Sequence, residues 1–299
     1  MKQKIIAIVG PTAVGKSKMA VLLAKKFDGE IISADSIQLY KDLNIGSAKV
    51  TKKEMEGVKH YGIDIALPIT QLTAFDFVQN AKGWIQEISK KNKIPIIVGG
   101  TALYVKALLE NYNLGATRDE KLRENLKKEY EQKGLQLMAE KLKKTDSILA
   151  DKTDLSNPVR VLRALEIALS NSEKSKQESE FDYKLFALNV DRELLYKRIN
   201  FRVDQMFEEG LEGEVQNILA KYGENAPAFK AIGYKEFLPY FKKEISKDDL
   251  ILQIKQHSRN YAKRQLTFIR GMSNVQFVDV QNFDQACKKI EKEIENWLQ

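Results

Sequence analysis

The chain holds one cysteine, Cys287, and two histidines, His60 and His257, in 299 residues. A single thiol excludes an intrachain disulfide and any zinc site built from several thiolates, and it fits a reducing compartment. Two histidines without metal spacing leave no material for a polyhistidine centre, so surface or packing roles are expected for both. Nothing approaches membrane length: the apolar run at 5–9 is too short for a span or a signal-peptide core and leads straight into a glycine loop. A cytoplasmic protein without membrane contact is expected. Acid is in deficit, with 41 Asp and Glu against 49 Lys and Arg and a formal charge of +8, which favours an anionic partner.

What is present reads first as a parallel sheet. Residues 5–9 form a buried-strand run, 10–15 a loop, and 16–27 carry helical spacing. Asp28-Gly29 turns the chain into a second strand, 30–33, ending near Asp35. A helix over 75–90 leads to a third strand, 94–98, stopped by Gly99-Gly100, and 185–190 reads as a fourth. Strands alternating with helices predict a sheet covered on both faces, whose ligands gather outside the carboxyl ends of strands. Gly10, Asp35 and Thr101 all stand just past such ends.

From about 113 to 180 the strand signal disappears. Thr117 to Glu120 reads as a capping box opening a helix that ends at Gly134. Asn157-Pro158 reads as N-cap and first residue of a helix over 159–170, and polar 171–180 as a mobile loop. From Arg192 the chain is mostly helical, with a capping box at Ser246 to Asp249 before a long basic helix. The expected architecture is therefore α/β. A P-loop NTPase-like parallel sheet core with C-terminal helices takes 1–112 and 181–299, and a mostly helical insertion domain takes 113–180.

The octapeptide Gly10-Pro11-Thr12-Ala13-Val14-Gly15-Lys16-Ser17 fits G-x-x-x-x-G-K-[ST] without a mismatch, between strand and helix where the mechanism needs it. Its glycines let backbone N–H groups turn onto phosphate oxygens, the helix N-terminus adds partial charge, Lys16 adds a full one, and Ser17 can ligate Mg²⁺. The loop predicts polyphosphate binding without saying which polyphosphate. A GTPase reading fails, because Asn92-Lys93 runs into Ile94-Pro95 instead of closing an Asn-Lys-x-Asp motif. A small-molecule kinase using ATP stays open, as does a non-catalytic RNA-binding protein with a nucleotide switch; Asp191 is a candidate for an acidic magnesium partner.

Asp35 could be a general base, a magnesium ligand or a helix N-cap, and Gln38 could reach a base edge or complete a cap. The third strand ends in Gly99-Gly100-Thr101, which puts a hydroxyl where an ATPase carries a carboxylate. Thr101 suits steadying reacting groups or capping the next helix. Arg160 and Arg163 share one helical face, Arg123 flanks the apolar stripe of its own helix, and Lys255, Arg259, Lys263 and Arg270 fall on one stripe with Tyr261 and Arg264 alongside. Singly these are solvated faces; beside the phosphate loop they favour a phosphodiester backbone as partner.

With these residues the chain resembles the tRNA dimethylallyltransferases. The resemblance rests on the octapeptide, Ser33-Ala34-Asp35-Ser36 with Gln38 and Tyr40, Ile45-Gly46-Ser47-Ala48-Lys49, and 94–101 with Tyr104. It continues through Arg160 with Arg163-Ala164-Leu165-Glu166, Arg198 with Arg202-Val203-Asp204, Ala231-Ile232-Gly233-Tyr234-Lys235-Glu236, and Ala262-Lys263-Arg264-Gln265 before Arg270, all in family order. It implies transfer of a dimethylallyl group from dimethylallyl diphosphate to N6 of the adenine 3′ to the anticodon, in tRNAs reading codons that begin with U. The adenine flips into a channel that the donor enters from the other side.

The resemblance also implies roles for residues. Asp35 is the base, Thr101 steadies the reacting groups, and the octapeptide holds the diphosphate with Mg²⁺ through Thr12, Lys16 and Ser17. The tRNA anticodon stem-loop is met by Asp35, Ser36, Ile37, Gln38, Thr101, Arg123 and the turn Val159, Arg160, Val161, Leu162, Arg163. A monomer is expected. The chain departs from the family at Val50, where proline is usual, at Ile37, where Met or Arg is common, and at Val159 and Leu162, where polar residues are common. With Cys287 alone it cannot build the C-terminal zinc finger of eukaryotic members, so a bacterial-type core is implied.

Overall fold

The computed structural model describes residues 2–110, 120–169 and 178–299. The chain divides into two compact units, one formed by Met1–Asn111 with Glu178–Gln299 and the other by Tyr112–Gln177. The first unit begins β1 (Gln3–Val9), α1 (Lys16–Lys26), β2 (Gly29–Ser33), α2 (Lys52–Met55), β3 (His60–Tyr61), α3 (Ala74–Lys90), β4 (Ile94–Gly99) and α4 (Ala102–Leu109). The second unit holds α5 (Glu120–Thr145), α6 (Ser147–Asp151) and α7 (Pro158–Leu169). The chain then returns through β5 (Phe181–Asn189), α8 (Arg192–Glu208), α9 (Leu211–Tyr222), a 3-10 turn at Pro227–Lys230, α10 (Phe237–Phe241), α11 (Lys247–Ile269), β6 (Val275–Asp279) and α12 (Phe283–Leu298).

The six strands form one parallel sheet in the order β3-β2-β4-β1-β5-β6. Helices cover both faces, so the inner strands are apolar along their length instead of alternating: Ile5, Ile6, Ile8, Ile31, Ile32, Ile96 and Ile97 are all fully buried. The four strands read from sequence are present. The short edge strand β3 and the edge strand β6 are additions, because β6 buries only Val278 well and carries Gln276 at its second position. β5 starts four residues before the apolar run, since half-buried Phe181 to Lys184 pair with Gln3 to Ile6 of β1.

A second core packs Tyr40 and Leu43, from the segment after β2, against Val203 of α8, Leu211 and Val215 of α9, Phe229, Tyr234, Phe237, and Leu250 and Ile254 of α11. These helices thereby form a wall facing the segment that leaves β2. The capping box expected at α11 is present, Ser246 accepting from Asp249 N and Asp249 closing back on Ser246.

The second unit has its own core of Leu126, Met138, Leu142, Ala150, Val161, Ala164 and Leu165. Gly134 interrupts α5 with φ 75° and ψ 173°, so the helix stop expected there is real although a further helical stretch follows. Asn157 Oδ1 accepts from Arg160 N at 3.2 Å, the cap expected for α7. The capping box expected at Thr117, and most of the loop expected over 171–180, lie outside the described residues.

Candidate active site

The phosphate loop leaves the carboxyl end of β1 and feeds α1. Gly15 sits at φ 94°, ψ 19°, a left-handed conformation that costs a side chain about 1–2 kcal/mol and glycine nothing. Lys16 Nζ donates to Pro11 O at 2.7 Å, and Thr12 N donates to Gln265 Oε1 at 3.0 Å. Burial of the Lys16 ammonium lowers its pKa to about 8; nearby Asp35 opposes the drop and Arg202 adds to it. A desolvated cation of this kind gains strongly from an incoming anion.

The acid and the hydroxyl are brought together by close backbone packing. A Cβ on Gly99 would lie 2.0 Å from Ala34 O, so only glycine lets the end of β4 press against the end of β2. Thr101 N donates to Ala34 O at 3.2 Å, and Ser36 N donates to Thr101 Oγ1 at 3.0 Å. Asp35 Oδ1 accepts from Ile37 N at 2.9 Å and Gln38 N at 3.3 Å. The second oxygen, Oδ2, meets no hydrogen-bond donor among the described residues and is the one available to take a proton.

These contacts decide several alternatives. Asp35 caps a turn and not a helix. Thr101 stands in the N-cap position of α4 but makes no side-chain cap, its hydroxyl being given to Ser36. Gln38 Nε2 donates to Ser47 O at 3.4 Å and Ala48 O at 3.1 Å, holding the segment that carries the site's outer wall. Asp191 accepts from Glu193 N and Leu194 N as the N-cap of α8, so it is a structural cap and not a magnesium partner.

Two cavities meet here, of about 540 Å³ and 390 Å³. They share Thr12, Lys16, Asp35, Gly100 and Arg202 as a common wall. The larger takes in Ser17, Gln38, Glu54 and His60; the smaller adds Ser36, Ile37, Ile199, Val203, Tyr261 and Arg264. Both cavities thus reach one carboxylate, one lysine and one arginine. Burial lowers the Arg202 pKa, as expected of a guanidinium drawn out of water. Burial likewise pushes the Tyr261 phenol up to about 12, so it stays a neutral hydroxyl beside Thr101 and Gln265.

Ser17 is exposed at the start of α1, where a cation could reach it. Among the described residues no three His, Cys, Asp or Glu side chains converge as a metal cage. A lone hydroxyl oxygen is a ligand of the kind that a hard cation such as Mg²⁺ accepts.

Arg202, Gln265 and Glu214 complete the site without being singled out by sequence chemistry, and Tyr261, read only as flanking the basic stripe, joins them. Arg202 and Gln265 had a signal only as parts of the resemblance. The basic stripe on α11 also changes meaning. Lys255 is tied to Asp204 at 2.5 Å and Arg259 to Asn200 at 2.6 Å, bracing α11 on α8, while Tyr261, Arg264 and Gln265 line the smaller cavity.

Glu214 fixes the outer wall from beneath. Its carboxylate accepts from Asn44 N at 2.9 Å, Ile45 N at 2.8 Å, Gly46 N at 3.0 Å and the Tyr234 hydroxyl at 2.8 Å. Glu214→Gln turns one acceptor into a donor facing N–H groups. We expect a stability loss of about 1–3 kcal/mol, from leaving partly buried donors short of an acceptor, measured by denaturant unfolding; a change below about 0.5 kcal/mol would show the clamp to be dispensable.

In the second unit, burial pushes the Glu166 carboxyl up, but the Arg123 and Arg163 guanidiniums outweigh it and hold it below its usual range. Arg123 Nε lies 2.8 Å and Arg163 Nη1 2.6 Å from that carboxylate, and Arg160 pairs with Asp154 at 3.1 Å. Val159 is 75% exposed and Leu162 half-buried, whereas Val161 is fully buried in the unit's core. Of the turn expected to meet RNA, Val161 has its side chain turned inward by its position in the helical repeat, where it packs.

A model of the IPP transferase family matches residues 38–272, a span that begins after the phosphate loop and Asp35. The chain is 44% identical over 307 residues to a tRNA dimethylallyltransferase of Ligilactobacillus salivarius (strain UCC118), covering all of both chains. It is 42% identical to one of Bacillus cytotoxicus, covering 100% of this chain and 96% of that one. The crystal structure of the full-length tRNA isopentenylpyrophosphate transferase from Bacillus halodurans superposes with a TM-score of 0.77 at 41% identity, over 99% of this chain and 96% of the other. A eukaryotic dimethylallyltransferase captured acting on tRNA matches with a TM-score of 0.79 at 28% identity, over 95% of this chain and 75% of the other.

Proposed function

This chain belongs to the IPP transferase family, and we propose that it is a tRNA dimethylallyltransferase moving the prenyl group of dimethylallyl diphosphate to N6 of the adenine 3′ to the anticodon. The observation that carries the reading is the shared wall of the two cavities, where Lys16, Arg202 and Asp35 line both. Donor and flipped-out base enter from opposite sides and meet there. An adenine held in a stacked loop must be extruded to reach such a depth.

The loop N–H groups, Lys16 and Arg202 hold the diphosphate. Their charge counts most as the C–O bond to the allyl carbon breaks and negative charge grows on the leaving group. Mg²⁺, held through Ser17 and the phosphates, supplies further charge neutralisation when bound. The exocyclic amine attacks the allyl carbon, and Asp35 Oδ2 takes the proton the nitrogen gives up as the C–N bond forms. Thr101 acts through Ser36, keeping the Asp35 turn in place. The exposed side of the second unit, with Arg123, Arg160, Arg163 and Val159, supplies contacts to the anticodon stem-loop.

The test is incubation with labelled dimethylallyl diphosphate, Mg²⁺ and unmodified tRNA. We expect label on tRNAs reading codons that begin with U, and none when the target adenine is replaced by guanine. Absence of label on every tRNA, with folded protein, would refute the activity; equal label on the guanine control would refute the acceptor.

A further inference from the structure

Gln265 lies near the end of α11, far in sequence from both loops it touches, and is 5% exposed. Its Oε1 accepts from Thr12 N at 3.0 Å, and its Nε2 donates to Gly100 O at 2.9 Å. A Cβ on Gly100 would lie 2.5 Å from that Nε2, so a side chain there would displace the carboxamide from this position. One end of the carboxamide meets the phosphate loop and the other the residue before Thr101, with the Tyr261 hydroxyl beside both Gln265 and Thr101. Thr101 in turn receives Ser36 N, next to Asp35. Three hydrogen bonds therefore run from the diphosphate grip to the base-bearing turn, two through the Gln265 side chain and one through the Thr101 hydroxyl.

We propose that Gln265 is a positioning residue that sets the distance between the departing diphosphate and the Asp35 turn. The inference rests on the transfer reading above. Displacement requires the attacking nitrogen and the leaving oxygen to stand on opposite sides of one carbon at near-contact separation, and a misplacement of about 1 Å can cost about 100-fold in rate. The phosphate loop fixes one side and the Asp35 turn the other. They belong to different strand ends, β1 and β2, and Gln265 links them from a helix anchored in the buried cores through Ile254, Ala262 and Ile269. A carboxamide suits the task because it is neutral and presents an acceptor and a donor side by side.

Two substitutions separate this role from packing. Gln265→Met keeps the length and removes both hydrogen bonds. It should lower kcat about 30- to 100-fold, at every pH alike, while the KM for tRNA stays within about threefold of wild type. Gln265→Glu keeps the shape. Its ionised form repels Gly100 O, and its protonated form donates to that oxygen again, so its deficit relative to wild type should shrink as pH falls through the carboxyl titration. A kcat within about threefold of wild type for Gln265→Met, or a Gln265→Glu deficit flat with pH, would overturn the proposal.

Hydrogen exchange supplies a readout independent of turnover. In Gln265→Met, amides of 10–17 and of 99–104 should lose protection together while 120–169 keep theirs. Loss in one loop alone, or in neither, counts against the strut. A wild-type protein that transfers nothing would sink the transfer reading, and the exchange result would still decide whether Gln265 couples the two loops.

Discussion

Lys16→Met should lower prenyl transfer by roughly 1,000-fold, the loss expected when a preorganised charge is removed from a leaving group in a desolvated site. The Lys16 ammonium is drawn out of water, and its only hydrogen bond among the described residues goes to a loop carbonyl, Pro11 O. It is thus a cation whose burial Asp35 offsets only in part until an anion arrives. Methionine keeps the length of the side chain and removes the charge, so the loop should retain its shape.

The same residue sets a pH dependence. Its pKa is depressed from 10.5 to about 8, so the folded protein holds fewer protons than the unfolded chain between those values. The desolvation cost of the charged form is present in full below about 8 and is relieved as pH rises toward 10.5. Binding follows the opposite course, because it needs the charge. Affinity for an unreactive analogue of dimethylallyl diphosphate should be level below pH 8 and fall above it, by at most about tenfold per pH unit. Calorimetric titration in buffers of different ionisation heat should show proton uptake on binding in that range. Lys16→Met should bind weakly with no such slope; a slope surviving the substitution would assign the titration to another group.

Asp35→Asn should reduce turnover about 100- to 10,000-fold, the span of general base catalysis. Affinity for the diphosphate analogue should stay within a few-fold of wild type. The amide can still accept from Ile37 N and Gln38 N through one oxygen, so the turn is preserved while the proton acceptor is lost. Rate and binding measured on the same preparation separate the roles. A matched loss of analogue affinity would make Asp35 a metal or structural residue.

How far these features were legible in the sequence follows from their range along the chain. The phosphate loop is eight consecutive residues whose chemistry depends on local backbone geometry, and it could be read directly. Asp35 and Thr101 were legible as strand-end residues, but whether they capped helices depended on Gly99 pressing β4 onto β2. Gln265 and Glu214 act on loops 165 and about 170 residues away, and helical spacing alone marks them as ordinary polar positions on α11 and α9. Val161 shows the converse. A motif read as a contiguous turn includes a residue that the helical period sends into the core. The edge strand β6 escaped because it contributes little to the buried interior, which is the signal that sequence patterns report.

The most direct test is mass spectrometry of the nucleosides recovered from tRNA after reaction, since it reads donor and acceptor in one spectrum. Adenosine carrying one dimethylallyl group on N6, confined to tRNAs that read codons beginning with U and formed far more slowly with Asp35→Asn or Lys16→Met, is the predicted result. Unchanged nucleosides, or a phosphorylated small molecule formed from ATP without RNA, would contradict the account.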